Sequence, residues 1–261
     1  MKTGTYQIEL GDTFPDILKQ ADGEKQLGNF YQSAVETYIY DNPEVFYLDV
    51  NKMYLNIEKI TRGNNITYNV FINSGDEANY LENGYNIQII NSRLSEIRQA
   101  KEEIKAKAVG NTYEDIKMVH DYIVENTEYD STLSLPDIYN VYGTLIRKQS
   151  VCEGYAKTFK LLMDELGIPC VIVIGEATNS NNETENHAWN YVQINNSWYA
   201  IDATWDDPVV SGGGTARPAS KYKYFLKGMN TISKDHFAKT NFTENGKNYE
   251  YPTLNSQDYE I

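Results

Sequence analysis

Cysteine is scarce in this 261-residue chain. Cys152 and Cys170 are the only two, too few for a disulfide framework. With no CxxC pair and three scattered histidines, His120, His187 and His236, the sequence also lacks the ligand spacing of a zinc site. Basic residues are short as well: 23 Lys and Arg stand against 37 Asp and Glu, a net charge of −14 with a pI near 4.7. Such a chain lacks the basic stripe that nucleic acid or an anionic membrane surface requires. No apolar run approaches the roughly 20 residues of a spanning helix, so membrane insertion is not expected. The opening residues, Met1 to Ile8, carry no apolar stretch of the signal-peptide kind. The acidic trio Asp202, Asp206 and Asp207 lacks the spacing of an EF-hand loop and reads as ordinary loop carboxylates. No metal or other cofactor is expected, and nothing in the composition fixes an oligomeric state.

What the chain has in excess is tyrosine, 22 residues, and asparagine, 27 residues. With 41% apolar residues it can bury a sizeable core as one large domain or two small ones. Apolar residues at Leu27, Phe30, Tyr31, Ala34, Val35, Tyr38 and Ile39 have helical spacing, stopped by Asp41-Asn42-Pro43. The period then changes. Residues 45–48, 53–57 and 66–72 read as strands, the last two joined by a hairpin turn at Arg62-Gly63-Asn64-Asn65. Helical spacing returns over 84–108, and Thr112 with Asp115 has the pattern of a capping box opening another helix. In that helix His120 reads as a partly buried structural histidine. This divides the chain into a small helix-plus-strand region, 1–82, and a larger domain, 83–261. The one low-complexity stretch, Ser211 to Thr215, reads as a flexible loop.

Chemistry concentrates between Tyr142 and Pro208. Ser150 and Glu153 have capping-box spacing, which predicts a helix opening at Ser150, with Gly167 as its stop. Cys152 then occupies the first turn, where unpaired N–H groups and the positive end of the helix dipole favour a thiolate. Cys170 lies in an apolar strand-like run and reads as an inert buried thiol. Downstream, residues 187–194 and 198–205 form a hairpin pattern about Asn195-Asn196, with paired numbers summing to 391. In that register His187 faces Thr204 and Trp189 faces Asp202. His187 and Asp202 are thus diagonal neighbours on one face, while Ala188, Val192 and Ile194 face the helix bearing Cys152. His236, a rival base, lies in a segment without such a strand-paired aspartate. Nucleophile, base and orienting carboxylate make a Cys152-His187-Asp202 triad. The Cys152 backbone N–H would hold an oxyanion, with Tyr142 as the candidate side-chain donor and Trp189 as a candidate to line the substrate.

The same residues carry a family resemblance. Val151-Cys152-Glu153-Gly154-Tyr155-Ala156, Asn186-His187-Ala188-Trp189-Asn190 and the run Trp198 to Pro208 resemble the core of the transglutaminase-like superfamily, in particular its bacterial transglutaminase/protease-like members. Flanking segments around His120-Asp121, Tyr222 to Leu226 and Asp235-His236 extend the likeness over about 112–237. The resemblance implies an α+β, papain-like fold and an exported or surface-attached protein. It also implies acyl transfer from a protein or peptide amide through a thioester. A cysteine peptidase with the same triad is the alternative, and a non-catalytic binding module on this fold is the third reading. The acidic surface slightly favours basic substrates, an attraction that salt would weaken.

Overall fold

In a computed structural model the chain is described over residues 7–74, 80–82, 84–207, 221–240 and 249–261. The glycine-rich stretch at 211–215 lies outside these residues. Two compact units emerge: one from the described residues of Met1–Ile39, Tyr47–Asn91 and Asn241–Tyr249, the other from Tyr40–Phe46, Ser92–Thr240 and Glu250–Ile261.

The first unit is a three-stranded antiparallel sheet with helices. Strand β1 (Gln7–Gly11) is followed by α1 (Pro15–Leu18), α2 (Gly23–Asp41), β2 (Met53–Arg62) and β3 (Asn65–Ser74), in the sheet order β1-β3-β2. The two-residue turn Gly63-Asn64 sets the hairpin register, Arg62 opposite Asn65 through Met53 opposite Ser74. Its core gathers Leu18, Leu27, Tyr68 and Val70. Residues 45–48 are not the strand their apolar run suggests. Val45 N–H closes a turn on Asn42 C=O, and only Leu48 makes an isolated bridge, to Leu81. The turn chemistry of Asn42-Pro43 outweighs strand propensity there.

The second unit is mixed helix and antiparallel sheet, an α+β core of the papain-like kind. Helix α3 (Ile87–Lys105) runs into it and is followed by α4 (Thr112–Asn126), β4 (Glu128–Tyr129), a π-helical turn at Gly143–Arg147, β5 (Gln149–Ser150) and α5 (Cys152–Glu165). Then come β6 (Cys170–Thr178), β7 (Thr184–Ile194), β8 (Ser197–Ile201), α6 (Met229–Ile232) and β9 (His236–Ala238). The main sheet has the order β8-β7-β6-β9, all antiparallel, and β4 pairs with β5 in parallel. Among the described residues no helix is long and apolar enough to cross a membrane.

Helix α5 supplies much of this core. Tyr155, Phe159, Leu162 and Met163 are all at most 1% exposed, and each such side chain contributes about 1.5–3 kcal/mol on burial. Asn190 of β7 donates its side-chain amide to Ala156 C=O at 3.0 Å, tying strand to helix through a buried bond. Ala156, Ile172 and Ala188 fill the space between them. On the opposite face of the sheet, Val173, Trp189, Tyr191, Ala200, Tyr224 and Ile232 form a second cluster.

Candidate active site

The geometry starts at the entry to α5. Ser150 does not cap the helix. It pairs with Tyr129 across β4-β5, and its fully buried hydroxyl donates to Ile138 C=O at 2.7 Å while accepting from Thr144 Oγ1 at 2.9 Å. The N-cap is Val151, which offers no side-chain acceptor, so Cys152 itself is the first helical residue. Glu153 pairs with Lys157 one turn on, at 2.6 Å, instead of closing a capping box. The helix ends as expected, with Gly167 N–H on Asp164 C=O and Ile168 N–H on Met163 C=O. The close approach of the preceding chain makes glycine obligatory at 154. A Cβ there would lie 1.9 Å from Ser150 Oγ and 2.6 Å from Ile138 C=O.

The β7-β8 register follows the predicted sum, Ile194 opposite Ser197 through Asn190 opposite Ile201, but the ladder stops there. Trp189 and Asp202 are not a strand pair. Asp202 leaves the sheet and caps its own turn, its Oδ1 accepting from the N–H groups of Thr204 and Trp205 at 3.0 and 3.2 Å. That turn aims Oδ2 at His187 Nε2, 2.8 Å away. His187 and Asp202 therefore meet through a turn, not as diagonal neighbours on a ladder.

Electrostatics bind the three expected residues together. Burial opposes charge on His187, but the charge and hydrogen bond of Asp202, followed by the hydrogen bond and charge of Cys152, outweigh it and push its pKa up to about 10. Burial would raise the Asp202 pKa, yet the His187 and His236 partners hold it well below the usual carboxylate range. Cys152 is partly exposed, whereas Cys170 is buried and its thiol pKa is pushed up by desolvation.

Two sequence candidates sit elsewhere. The Tyr142 hydroxyl donates to Glu96 Oε2 at 2.9 Å, and its ring stacks on Phe46 and lies under the guanidinium groups of Arg93 and Arg147. Its polar end is thus engaged with α3 and does not serve as a free donor toward Cys152. Trp189 is 1% exposed, against His187 and edge-on to His236, and presents no surface to a substrate. Tyr129 lies in the field of Cys152, its pKa raised by burial and then by the Cys152 charge. Its backbone is fixed by the bridge to Ser150, and its ring lies 6.5 Å from that of Tyr155.

The acidic trio is also not what composition suggests. Asp202, Asp206 and Asp207 are buried, and each has a partner from another element. Asp206 receives His120 Nε2 at 3.2 Å and Tyr224 N–H at 2.8 Å, and burial pushes its pKa up to about 6 in spite of His120. Asp207 accepts from the hydroxyl of Tyr155 on α5. His120, fully buried on α4, is therefore a clamp on the loop that carries Asp202. The capping-box spacing at 112 is off by one residue: Asn111 caps α4, and Asp115 reaches back to the N–H groups of Val109 and Gly110.

His236 is the residue that sequence reasoning set aside. Strand β9 pairs with β6, Ala177 opposite His236, and delivers His236 Nε2 to 3.1 Å from Asp202 Oδ2, the oxygen that already receives His187. Its other ring nitrogen meets Asp235 Oδ1 at 2.7 Å. A three-residue strand is too short to announce itself by periodicity, although the Asp235-His236 pair was visible. The ligating atoms of His187, Asp202 and His236 lie within 4.8 Å of one another, the spacing a metal ion would need. Two hydrogen bonds to a single carboxylate oxygen already account for that closeness.

A helix carrying a cysteine at its N-terminus, packed on an antiparallel sheet beside a histidine–aspartate pair, is the arrangement that the transglutaminase-like resemblance implied. Residues 98–203 match the model of the transglutaminase-like superfamily. Over 136 residues the chain is 26% identical to the kyphoscoliosis peptidases of Mus musculus and Homo sapiens, an alignment covering 48% of this chain and 20% of each relative. It thus spans about a fifth of the length of these curated relatives. A crystal structure of a TGase aligns with a TM-score of 0.39 and 17% identity, over 67% of this chain and 51% of that one.

Proposed function

We propose that this protein is a cysteine-dependent acyl-transfer enzyme acting on protein or peptide amides through a thioester. The observation that carries the reading is the combined placement of Cys152 at the start of α5 and of His187, which is held charged by Asp202 on one side and Cys152 on the other.

His187 holds the Cys152 thiolate as an ion pair. The thiolate attacks the amide carbonyl carbon, and the developing oxyanion takes the Cys152 N–H, one of the unpaired donors of the first helical turn. His187 passes its proton to the departing amine as the C–N bond breaks, leaving a thioester on Cys152 and a neutral imidazole. That imidazole then removes a proton from the incoming amine or water, which displaces the thiolate. Asp202, locked by Thr204 and Trp205, keeps the ring oriented and offsets its charge. Tyr129, whose phenol lies in the field of Cys152, takes the place of Tyr142 as the candidate second oxyanion donor.

The chemistry up to the thioester is common to transamidation and hydrolysis, and the resolving nucleophile decides between them. The peptidase name of the relatives favours a direct assay for cleavage as the second reading. Both are read in one experiment, with a glutamine-rich protein, a labelled primary amine and product analysis by mass spectrometry. Amine incorporation that disappears in Cys152→Ala supports acyl transfer, and backbone cleavage that disappears supports the peptidase. Activity that survives in Cys152→Ala, or no turnover of either kind over a panel of unfolded and native proteins, would remove the proposal.

A further inference from the structure

Side chains alternate between the two faces of the main sheet, and the register assigns each residue to one of them. On β6, Ile172, Ile174 and Glu176 share a face. Opposite Ile174 and Glu176 stand Ala188 and Asn186 of β7, and on β9 Phe237 stands opposite Glu176. Helix α5 covers this face at one end: Ala156 packs with Ile172 and Ala188, and the half-buried Ile174, Tyr40 and Cys152 border that cluster. Past Ile174 the face opens. Glu176 and Asn186 are exposed, and Phe237 is 51% exposed, whereas the other aromatic residues of the sheet, Trp189, Tyr191, Trp198 and Tyr199, are buried or half-buried.

The exposed row Asn186-Glu176-Phe237 crosses three strands and is therefore about 10 Å wide. It lies one pleat repeat, about 7 Å, beyond Ile174 and Ala188, the residues at the Cys152 end of the helix. Two residues of extended peptide span that length. Charge does not select the occupant, because Glu176 brings one carboxylate and the exposed Lys239, whose N–H bonds Ile174 C=O at 2.8 Å, brings one ammonium beside it. The remaining feature is an apolar ring with polar neighbours, of which the Asn186 amide can both donate to and accept from a peptide main chain. A phenylalanine offers about 150–250 Å² in all. Half of that suits one side chain and falls far below the roughly 800 Å² per partner of a stable protein interface.

We propose that Phe237, with Glu176 and Asn186, forms a substrate subsite that takes a large apolar side chain of an extended polypeptide, within about two residues of the one that reacts at Cys152. Its catalytic meaning rests on the Cys152-His187-Asp202 reading. The sheet face that seats the nucleophile helix thus continues as the floor on which the substrate lies.

The full chain is treated with pairs of thiol-directed peptides that differ only in carrying phenylalanine or serine one or two residues from the reactive carbon. Iodoacetyl peptides extend from that carbon towards the peptide C-terminus, and peptidyl chloromethyl ketones extend towards the N-terminus. In at least one series the phenylalanine peptide should alkylate Cys152 about tenfold faster than the serine peptide. Phe237→Ser should bring this ratio near one, and Phe237→Leu should retain most of it. Ratios near one in both series for the wild-type chain overturn the proposal without any variant having to fold, and so does an undiminished ratio in folded Phe237→Ser. A second readout needs no reactive thiol. The Cys152→Ala chain is irradiated with a peptide carrying benzoylphenylalanine, which should attach at residues 174–176, 186 or 237 and be displaced by the phenylalanine peptide; attachment elsewhere overturns the proposal. If wild-type Cys152 reacts no faster than Cys170 while this attachment persists, the triad reading fails and the subsite stands. A Phe237-dependent dimer in sedimentation, with no peptide preference, assigns the ring to a second copy and overturns the proposal.

Discussion

Replacing Asp202 by Asn tests the electrostatics of the site most directly, because the change is nearly isosteric. The amide oxygen can still accept from Thr204 and Trp205, so the turn survives while the charge on His187 is lost. A unit pair 2.8 Å apart at an effective dielectric of about 20 interacts by about 6 kcal/mol. The net rise of His187 from 6.5 to about 10, with burial opposing Asp202 and Cys152 adding to it, corresponds to about 5 kcal/mol. Without Asp202 the burial of His187 is unopposed on that side, and the ring should lose its proton near or below pH 6.5. In a profile of Cys152 carboxymethylation from pH 5 to 11, with Cys170 as internal control, the wild-type limb set by His187 deprotonation should lie near pH 10. In Asp202→Asn it should fall by about 3 pH units. The sign for stability follows from the same shift. A histidine raised in the folded state stabilises fully below its unfolded value of 6.5, and that contribution is lost as pH rises through about 10. Wild type should therefore lose about 3 kcal/mol more than Asp202→Asn between pH 6 and pH 9 in urea titrations. A limb that stays near pH 10 in the variant, or parallel stability profiles, would refute the assignment of Asp202 as the source of the His187 shift.

Other expectations are simpler. Tyr129→Phe should lower kcat about 100-fold with little change in KM, as for loss of one oxyanion donor, whereas Tyr142→Phe should leave kcat within a few fold; the reverse ranking would restore Tyr142. His120→Leu leaves buried Asp206 without its cation, a cost of about 3–5 kcal/mol, and differential scanning calorimetry should register a fall on the order of 10 °C in Tm; an unchanged Tm would mean the clamp is dispensable. Gly175→Ala places a methyl 2.2 Å from Phe237 C=O and 2.7 Å from Trp189 Cη2, so β9 must move. His236 should then separate from Asp202, and this variant should slow Cys152 alkylation.

The helices and the two hairpins were legible because each has a period and a stop: α5 ends at Gly167, β2-β3 turns at Gly63-Asn64, and β7-β8 turns at Asn195-Asn196 with the expected register. The N-caps were misread at both α4 and α5 by the same mechanism. A serine or threonine three residues before an acidic residue has capping-box spacing, but tertiary contacts claimed Ser150 for Ile138 and left α4 to Asn111. The Cys152, His187 and Asp202 positions could be reached from sequence because local rules bring them close. What pins Asp202 could not. His236 comes from a three-residue strand 34 positions away and His120 from a helix 86 positions before Asp206, and no local pattern encodes such long-range pairings. The acidic trio was misjudged for the same reason, since net charge does not say which carboxylates find buried partners.

The approach to α5 has a practical consequence. The backbone around residue 152 is held by Ser150 on Ile138, by Val151 N–H on Ile138 C=O and by the tight fit at Gly154, and none of these holds involves the thiol. A chain with alanine at 152 should keep this backbone while lacking the thiol that the proposed reaction needs. On the proposed acyl-transfer reading that variant is a bait: immobilised, it should retain polypeptides that the proposed reaction would otherwise release.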